Sequence, residues 1–90
     1  MIINWDIKKA ASNLKKHGVS FPNAATVFYD PLAVTASDPD HSIGENRYLT
    51  FGIAITGNLL TISHTFESDV IRVISARAAT KPERLIYEEG

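Results

Sequence analysis

The chain has 90 residues, a net charge of −1 and no cysteine. A chain of this length forms one domain, residues 1–90, and the lack of cysteine excludes disulfides and thiolate metal sites. No stretch approaches the roughly 20 apolar residues of a membrane span, and the first residues lack the basic and apolar regions of a signal peptide, so we expect a soluble, cytoplasmic protein without a membrane partner.

Charge is distributed unevenly along the chain. Residues 1–29 hold four lysines against one aspartate, whereas residues 30–45 hold three aspartates and one glutamate and no basic residue. The rest of the chain carries five charges of each sign. A near-neutral protein lacks the usual electrostatic footprint of a nucleic-acid-binding domain, but a local basic segment can still bind an anion.

Two helices are predicted at the N-terminal end of the chain. Asp6 is a candidate N-cap for a helix that runs through about His17 and ends at Gly18. Ser20 can cap a second helix, which Asp30-Pro31 ends because a residue before proline is disfavoured in helical geometry. The apolar face of the first helix is expected to hold Ile7, Ala10, Ala11 and Leu14.

The remaining sequence predicts strands followed by one helix. Strands are expected over residues 32–37, 47–55, 59–66 and 69–77, with turns at Gly57-Asn58 and Glu67-Ser68. Thr80-x-x-Glu83 is a capping-box pattern that begins a helix over 81–89. The predicted class is α+β: a small antiparallel sheet of about four strands, two N-terminal helices and one C-terminal helix, with the first residues as an optional further strand.

Alternation along the strands assigns side chains to two sheet faces, if both hairpin loops have two residues. One face is apolar and is expected to receive the helices: Leu49, Phe51, Ile53, Ile55, Leu60, Ile62, His64, Phe66, Ile71 and Val73. The other face is expected to combine small and hydroxylic side chains with Arg72: Thr50, Gly52, Ala54, Thr61, Ser63, Thr65, Val70 and Ile74.

Arg72 is a permanently charged residue inside a β-branched strand. It can lie on a solvated face, pair with a buried carboxylate, or bind a phosphate through its planar fork of donors. In the assumed register it lies opposite Ser63 with no facing carboxylate. Arg77 has the opposite parity and is expected to join Arg72 only from the end of the strand.

Other candidate residues each have a plainer interpretation. Lys15, Lys16 and His17 suit the negative end of the first helix, or form a phosphate-binding group in which His17 is a neutral base. His64 is expected to be a hydrogen-bonded core residue or a catalytic one. Arg47 can be solvated or reach around the sheet's rim, and Tyr87 can pack or donate a proton.

Asp38, Asp40 and His41 lie together in a polar loop and raise the alternative of a metal-dependent nuclease. A loop rich in turn formers has this composition by default. We therefore expect neither a metal site nor any cofactor. No catalytic triad order, P-loop, dinucleotide fingerprint or zinc pattern is present.

The chain carries a series of short motifs: Trp5-Asp6, Lys16-His17-Gly18, Val19-Ser20-Phe21, Ala24-Ala25-x-Val27-Phe28, Asp30-Pro31, Glu45-Asn46-Arg47, Arg72-x-Ile74-Ser75-Ala76-Arg77 and Glu83-x-x-x-Tyr87. In this order and spacing they resemble the BrnT toxins of bacterial type II toxin–antitoxin systems. The match spans about residues 5–90. One position departs from the pattern, because relatives often have an arginine in the turn that here reads Thr65-Phe66-Glu67-Ser68.

The resemblance implies a fold like that of the RelE ribonucleases, with helices on one sheet face and RNA on the other. It also implies neutralisation by a BrnA-type ribbon-helix-helix antitoxin, binding of operator DNA through that antitoxin, and a homodimer within the complex. The implied activity is metal-independent RNA cleavage that arrests translation and leaves a 2′,3′-cyclic phosphate.

For this reaction the candidates are Arg72 and Arg77 for charge stabilisation and His17, His64 or Tyr87 for proton transfer. Lys15, Lys16 and Arg47 are the candidate RNA contacts. The rival hypothesis is a non-catalytic interaction module that binds a DNA-binding antitoxin and modulates operon repression.

Overall fold

Five strands form a single sheet, and three helices pack against it. The computed structural model describes residues 1–90. The strands are β1 (Ile2–Trp5), β2 (Val34–Ser37), β3 (Arg47–Ile53), β4 (Leu59–Glu67) and β5 (Val70–Ala78), and their order in the sheet is β1-β5-β4-β3-β2. The helices are α1 (Ile7–His17), α2 (Phe21–Ala25), which continues as a 3₁₀ turn over Thr26–Tyr29, and α3 (Lys81–Glu89).

The predicted helix boundaries are confirmed by their caps. The Asp6 carboxylate accepts hydrogen bonds from the amides of Lys8 and Lys9 at 2.7 and 3.2 Å, and Gly18 ends α1 with a φ of 70°. Glycine is favoured at a position with positive φ because it has no Cβ. Ser20 caps α2, and both halves of the capping box begin α3. None of these helices could cross a bilayer.

The four predicted strands are present and pair in antiparallel fashion, but the sheet is mixed and has five strands, because the first residues, predicted only as an optional strand, add a parallel one. β1 pairs with β5 in parallel, and the other three pairs are antiparallel. Hairpin turns mark antiparallel neighbours in a sequence, whereas no local signal marks a parallel pair whose strands lie more than sixty residues apart.

The predicted register between β3 and β4 is wrong because the loop is longer than two residues. The strands end at Ile53 and resume at Leu59, and the Ala54 amide donates to the Asn58 carbonyl at 2.9 Å. Phe51 consequently pairs with Thr61. This shift reverses the faces, so Leu49 and Phe51 lie with the hydroxylic side chains of β4 and not with its apolar ones.

The second hairpin contains a β-bulge that sequence alternation did not reveal. Its turn is Ser68-Asp69, with φ values of 51° and 64°, one residue later than predicted. His64 pairs with Val73 but Ser63 pairs with Ser75, which leaves Ile74 as the extra residue. Arg72 opposite Thr65 and Arg77 opposite Thr61 therefore lie on the same face, contrary to the predicted separation.

We call the face covered by α1 and α2 the core face. Phe21, Ala24 and Val27 of the second helix and its 3₁₀ turn are fully buried there. They pack against the apolar residues of β4 and β5: Leu60, Ile62, Ile71, Val73 and Ala76. Gly52 of β3 also lies on this face, where an added Cβ would approach Val27 Cγ1 to 2.7 Å, so only glycine fits.

The orientation of α1 differs from the predicted apolar face. Ile7 and Leu14 are 81% and 51% exposed, whereas Asn13 is buried. The Asn13 amide group donates to the Ala76 carbonyl at 2.8 Å and accepts from the Ala76 amide at 3.0 Å. β1 ends at Trp5, so Asn13 satisfies the backbone of β5 just beyond the last β1 residue.

The helices are divided between the two faces, contrary to the expectation that all of them cover one. We call the other face the open face; α3 packs over its β3 side, where Phe51 is 3% exposed. The remainder that α3 leaves uncovered carries hydroxyl and guanidinium groups: Arg47, Ser63, Thr65, Arg72, Ser75 and Arg77.

Candidate functional site

A cleft of about 310 Å³ lies on the open face beside α3. Its floor consists of strand residues from β3, β4 and β5, and its rim includes the loop after β2. The lining residues are Asp38, His41, Arg47, Leu49, Thr61, Ser63, Ile74, Ser75 and Arg77. Ser75 and Arg77 lie two residues apart on the open face, and the bulge at Ile74 brings Arg72 onto that face with them.

A second cavity, of about 230 Å³, shares Arg47 and Ile74 with the cleft. Its other lining residues are Asp6, Lys9, Glu45, Arg72 and Val73. We call the two cavities together the arginine groove. Three arginines from two strands line it, and Arg47 lies where its halves meet.

Arg72 forms an ion pair. Its Nη2 donates to Glu45 Oε1 at 2.7 Å, and the two side chains are 47% and 38% exposed. The strand register showed no facing carboxylate because the partner comes from the loop before β3. An exposed pair of this kind contributes roughly 0–1 kcal/mol, so an incoming phosphate can replace the carboxylate at low cost.

Arg77 is held more firmly than Arg72. Its two terminal nitrogens donate to the Glu83 carboxylate at 2.7 and 2.9 Å. Glu83 also accepts from the Thr61 hydroxyl and the Thr80 amide, each at 2.9 Å. The Arg77 guanidinium, aided by these other donors, lowers the pKa of Glu83 to about 2. This carboxylate therefore stays ionised and fixes Arg77 against α3.

Arg47 is the arginine of the groove with unused hydrogen-bonding capacity. Its side chain makes no hydrogen bond within the protein, and its buried Nε has no partner. Its Nη2 lies 3.8 Å from Glu45 Oε1, an ion-pair distance too long for a hydrogen bond. A buried donor without a partner costs about 1–3 kcal/mol. Among the three arginines, Arg47 gains most from an anionic ligand.

A carboxylate–imidazole pair stands at the rim of the cleft. His41 Nδ1 lies 2.9 Å from Asp38 Oδ2, and the side chains are 67% and 15% exposed. Asp38, Asp40 and His41 do not converge as metal ligands: no group of three His, Asp or Glu residues is close enough to hold an ion.

His64 lies on the core face, away from the groove, and is 3% exposed. Its Nδ1 donates to the Thr65 carbonyl at 3.1 Å, so its Nε2 accepts from the Thr50 hydroxyl at 2.7 Å. Burial lowers the pKa of His64 and keeps the ring neutral. His64 is therefore a hydrogen-bonded core residue, which is one of its two predicted interpretations. It does not lie beside Arg72.

Tyr87 lines a different cavity, with Thr26, Tyr29 and Asp30. Its hydroxyl donates to Asp30 Oδ2 at 2.7 Å, and this bond raises the pKa of the phenol. Burial opposes ionisation of Asp30, but hydrogen bonds from the Ile53 amide, Tyr87 and the Leu32 amide lower its pKa overall. Tyr87 therefore fastens α3 to the chain before β2 and is not beside a guanidinium.

Lys15, Lys16 and His17 are exposed in the last turn of α1. None of them lines the arginine groove. Of the predicted RNA contacts, only Arg47 is brought together with Arg72 and Arg77.

Sequence reasoning missed Lys9, Glu45, Glu83 and the pairing of Asp38 with His41. Lys9 and Glu45 reach the groove from elements outside the sheet, and no local spacing signals that approach. The Asp38-x-x-His41 spacing did contain a signal, because residues three apart are neighbours in a 3₁₀ turn, and Pro39–His41 forms one.

Comparison with known proteins agrees with this architecture. A family model described as the ribonuclease toxin BrnT of type II toxin–antitoxin systems matches residues 5–83. The crystal structure of the Brucella abortus ribonuclease toxin BrnT is similar at 23% sequence identity and a TM-score of 0.63, covering 90% of this chain and 99% of that one. At that identity the likeness shows a shared fold. No curated protein sequence gives a significant match.

Proposed function

Because this chain belongs to the BrnT family of ribonuclease toxins of type II toxin–antitoxin systems, we propose that it is an endoribonuclease whose RNA-binding site is the arginine groove. Within the cell this activity would arrest translation, and we propose that the protein acts in the cytoplasm. The substrate phosphate would lie across β3, β4 and β5, on the part of the open face that α3 leaves uncovered.

The observation that carries this proposal is the bulge at Ile74. Without an extra residue, Arg72 and Arg77 would lie on opposite faces of β5. With it, both join Arg47 around the small hydroxylic side chains Ser63 and Ser75. Small side chains leave room for a phosphodiester backbone, and planar guanidinium groups match its non-bridging oxygens.

We propose cleavage by the RNA's own 2′-hydroxyl, without a metal ion. The 2′-oxygen forms a bond to the adjacent phosphorus, the bond from phosphorus to the 5′-oxygen breaks, and a 2′,3′-cyclic phosphate remains. Negative charge grows on the non-bridging oxygens in the transition state. Arg47, with its unused donors, would stabilise that charge, with Arg72 and Arg77 as flanking contacts.

The small net charge of the groove disfavours strong binding to RNA in general. Its lining includes Lys9 and three arginines against Asp6, Asp38 and Glu45, a balance of +1 with His41 neutral. Because general RNA affinity depends on the number of phosphates neutralised, isolated RNA should bind weakly and lose affinity as salt rises. A ribosome or an unstructured messenger RNA would position the substrate phosphate in the groove, which weak electrostatic attraction alone does not do.

We further propose a BrnA-type ribbon-helix-helix protein as the antitoxin, with operator DNA bound through it. This part rests on membership of a toxin–antitoxin family and on the sequence resemblance. Co-expression with the neighbouring open reading frame should relieve growth arrest. Size-exclusion chromatography with light scattering would show the stoichiometry and any toxin dimer within the complex.

The direct test is cleavage of a short single-stranded RNA by the purified protein in excess EDTA. Mapping of the new ends should show 2′,3′-cyclic phosphates, and an RNA with a 2′-O-methyl group at the cut site should resist. Arg47→Gln should slow cleavage about 100-fold or more, since one oxyanion donor is worth that much. Lys15→Gln is the matched control outside the groove and should cleave within a factor of two of wild type.

A folded wild-type protein that arrests growth without producing new RNA ends would favour the interaction-module hypothesis instead. The ion pairs that partly neutralise Arg72 and Arg77 are the observation on its side. Equal cleavage rates for Arg47→Gln and wild type would show that the arginine groove is not the RNA-binding site. The family assignment would be unaffected.

A further inference from the structure

We infer that His41, held by Asp38, is the general base of the RNA cleavage, accepting the proton of the attacking 2′-hydroxyl at Nε2. The inference rests on the proposed ribonuclease function and assigns a catalytic role to a pair at the rim of the cleft. This inference assigns no role in that proton transfer to His17, His64 or Tyr87.

Geometry sets the tautomer of this imidazole. Asp38 Oδ2 lies 2.9 Å from Nδ1, and an ionised carboxylate only accepts, so Nδ1 carries the proton. Nε2 then has a free lone pair. His41 makes no other side-chain hydrogen bond and is 67% exposed at the rim. A carboxylate that orients an imidazole in this way also stabilises the imidazolium formed when Nε2 takes a proton.

The pair is positioned against Arg47 by backbone hydrogen bonds. The Asp38 amide donates to the Arg47 carbonyl at 2.9 Å, which extends the pairing of β2 with β3 by one step. Ser42 Oγ accepts from the Arg47 amide at 3.0 Å and donates to the Asp38 carbonyl at 2.7 Å. The loop from Asp38 to Ser42 is thus fixed to the start of β3. The base and the arginine with unused donors are therefore joined through one hydrogen-bonded loop.

The surroundings of His41 suit a base that becomes charged beside a phosphate. Asp38 contacts the ring directly, and Asp40 is its neighbour in the same 3₁₀ turn. Arg47 and Arg77 line the cleft from β3 and β5. A phosphate bound between the ring and these arginines adds negative charge, which favours the imidazolium in the transition state.

The step balances without a metal or co-reactant. The O2′–H bond breaks as its proton moves to His41 Nε2, and the 2′-oxygen uses its electron pair to bond to phosphorus. The electron pair of the breaking bond leaves with the 5′-oxygen, which takes a proton from water. The imidazolium then returns its proton to solvent.

The test compares His41→Gln and Asp38→Asn with His17→Gln, an exposed histidine outside the groove. Single-turnover cleavage should fall about 100-fold or more for His41→Gln, the usual contribution of a general base. Asp38→Asn should fall about 10-fold, and His17→Gln should stay within a factor of two. Affinity for a 2′-O-methyl RNA, which cannot be cut, should change less than threefold for all three variants.

A pH profile separates catalysis from a structural role. The wild-type rate should rise with pH as the general base loses its proton. His41→Gln should lose this rise. Cleavage by His41→Gln within threefold of the wild-type rate, or with an unchanged pH profile, would overturn the assignment while the ribonuclease function stands. A wild-type protein that does not cleave RNA would overturn both.

Discussion

The core face and the open face both carry polar side chains, but the sheet satisfies them differently. On the core face, His64 and Asn13 use their side-chain nitrogens and oxygens in short bonds to Thr50, Thr65 and Ala76. On the open face, the Arg47 side chain makes no hydrogen bond and the Arg72 side chain pairs with a single exposed carboxylate. Polar groups that serve the fold are paired inside it, whereas those left without partners are available to a ligand.

The largest effect on stability is expected when a buried, hydrogen-bonded side chain of the core face is removed. Asn13→Ala leaves the buried amide and carbonyl of Ala76 without partners, so the free energy of unfolding should fall by about 2–4 kcal/mol. Urea denaturation monitored by circular dichroism measures it. Asn23→Ala, which loses only an exposed bond to Thr56, should cost under about 1 kcal/mol. Similar losses for both variants would contradict the structural role given to Asn13.

The next test concerns Glu83, the one carboxylate that ties the open face to a helix. Its pKa in the folded protein, about 2, lies below its ordinary value of 4.5, so its stabilisation is present above pH 4.5 and is lost as pH falls toward 2. Over that range the free energy of unfolding should fall by roughly 2 kcal/mol more in wild type than in Glu83→Gln.

Glu88→Gln, on the exposed part of the same helix, is the control for this experiment and should behave as wild type. Denaturant titrations at a series of pH values supply the data. Parallel pH curves for wild type and Glu83→Gln would show that the bond network around this carboxylate does not stabilise the fold.

A smaller effect is expected from Glu45, the exposed partner of Arg72. Glu45→Gln should change the free energy of unfolding by less than about 1 kcal/mol, because exposed ion pairs contribute little. It should nevertheless tighten RNA binding severalfold and steepen its salt dependence, since Arg72 and Arg47 become free for phosphate. Fluorescence anisotropy with a 2′-O-methyl RNA measures both.

Glu89→Gln makes the same charge change at the far end of α3 and should leave RNA binding within a factor of two of wild type. Weaker binding by Glu45→Gln would mean that the carboxylate positions the arginines instead of competing with the RNA.

The sequence predicts features that depend on neighbouring residues better than features that depend on pairing between strands. Caps are local, so Asp6, Ser20 and Thr80 located all three helix starts. The faces of the sheet depend on register, which a longer loop after Ile53 and a bulge at Ile74 altered without any local mark. Those two irregularities account for the misassigned faces.

The candidate site was predicted only in part for the same reason. Arg72 is conspicuous inside an apolar strand, but its relation to Arg77 required the bulge, and its partner Glu45 comes from a loop. The Asp38–His41 pair was visible in the sequence as a spacing. Its interpretation changed once the loop was seen fixed beside Arg47 and not folded around a metal ion.

We propose that the arginine groove, and not the core face, receives RNA. Nuclear magnetic resonance titration of the labelled protein with a 2′-O-methyl RNA is the most direct test. We expect the largest shifts at the amides of Ser63 and Ser75 and at the guanidinium of Arg47, with His64 and Thr50 nearly unchanged. Shifts concentrated around His64 and Thr50, with the groove residues unperturbed, would contradict it.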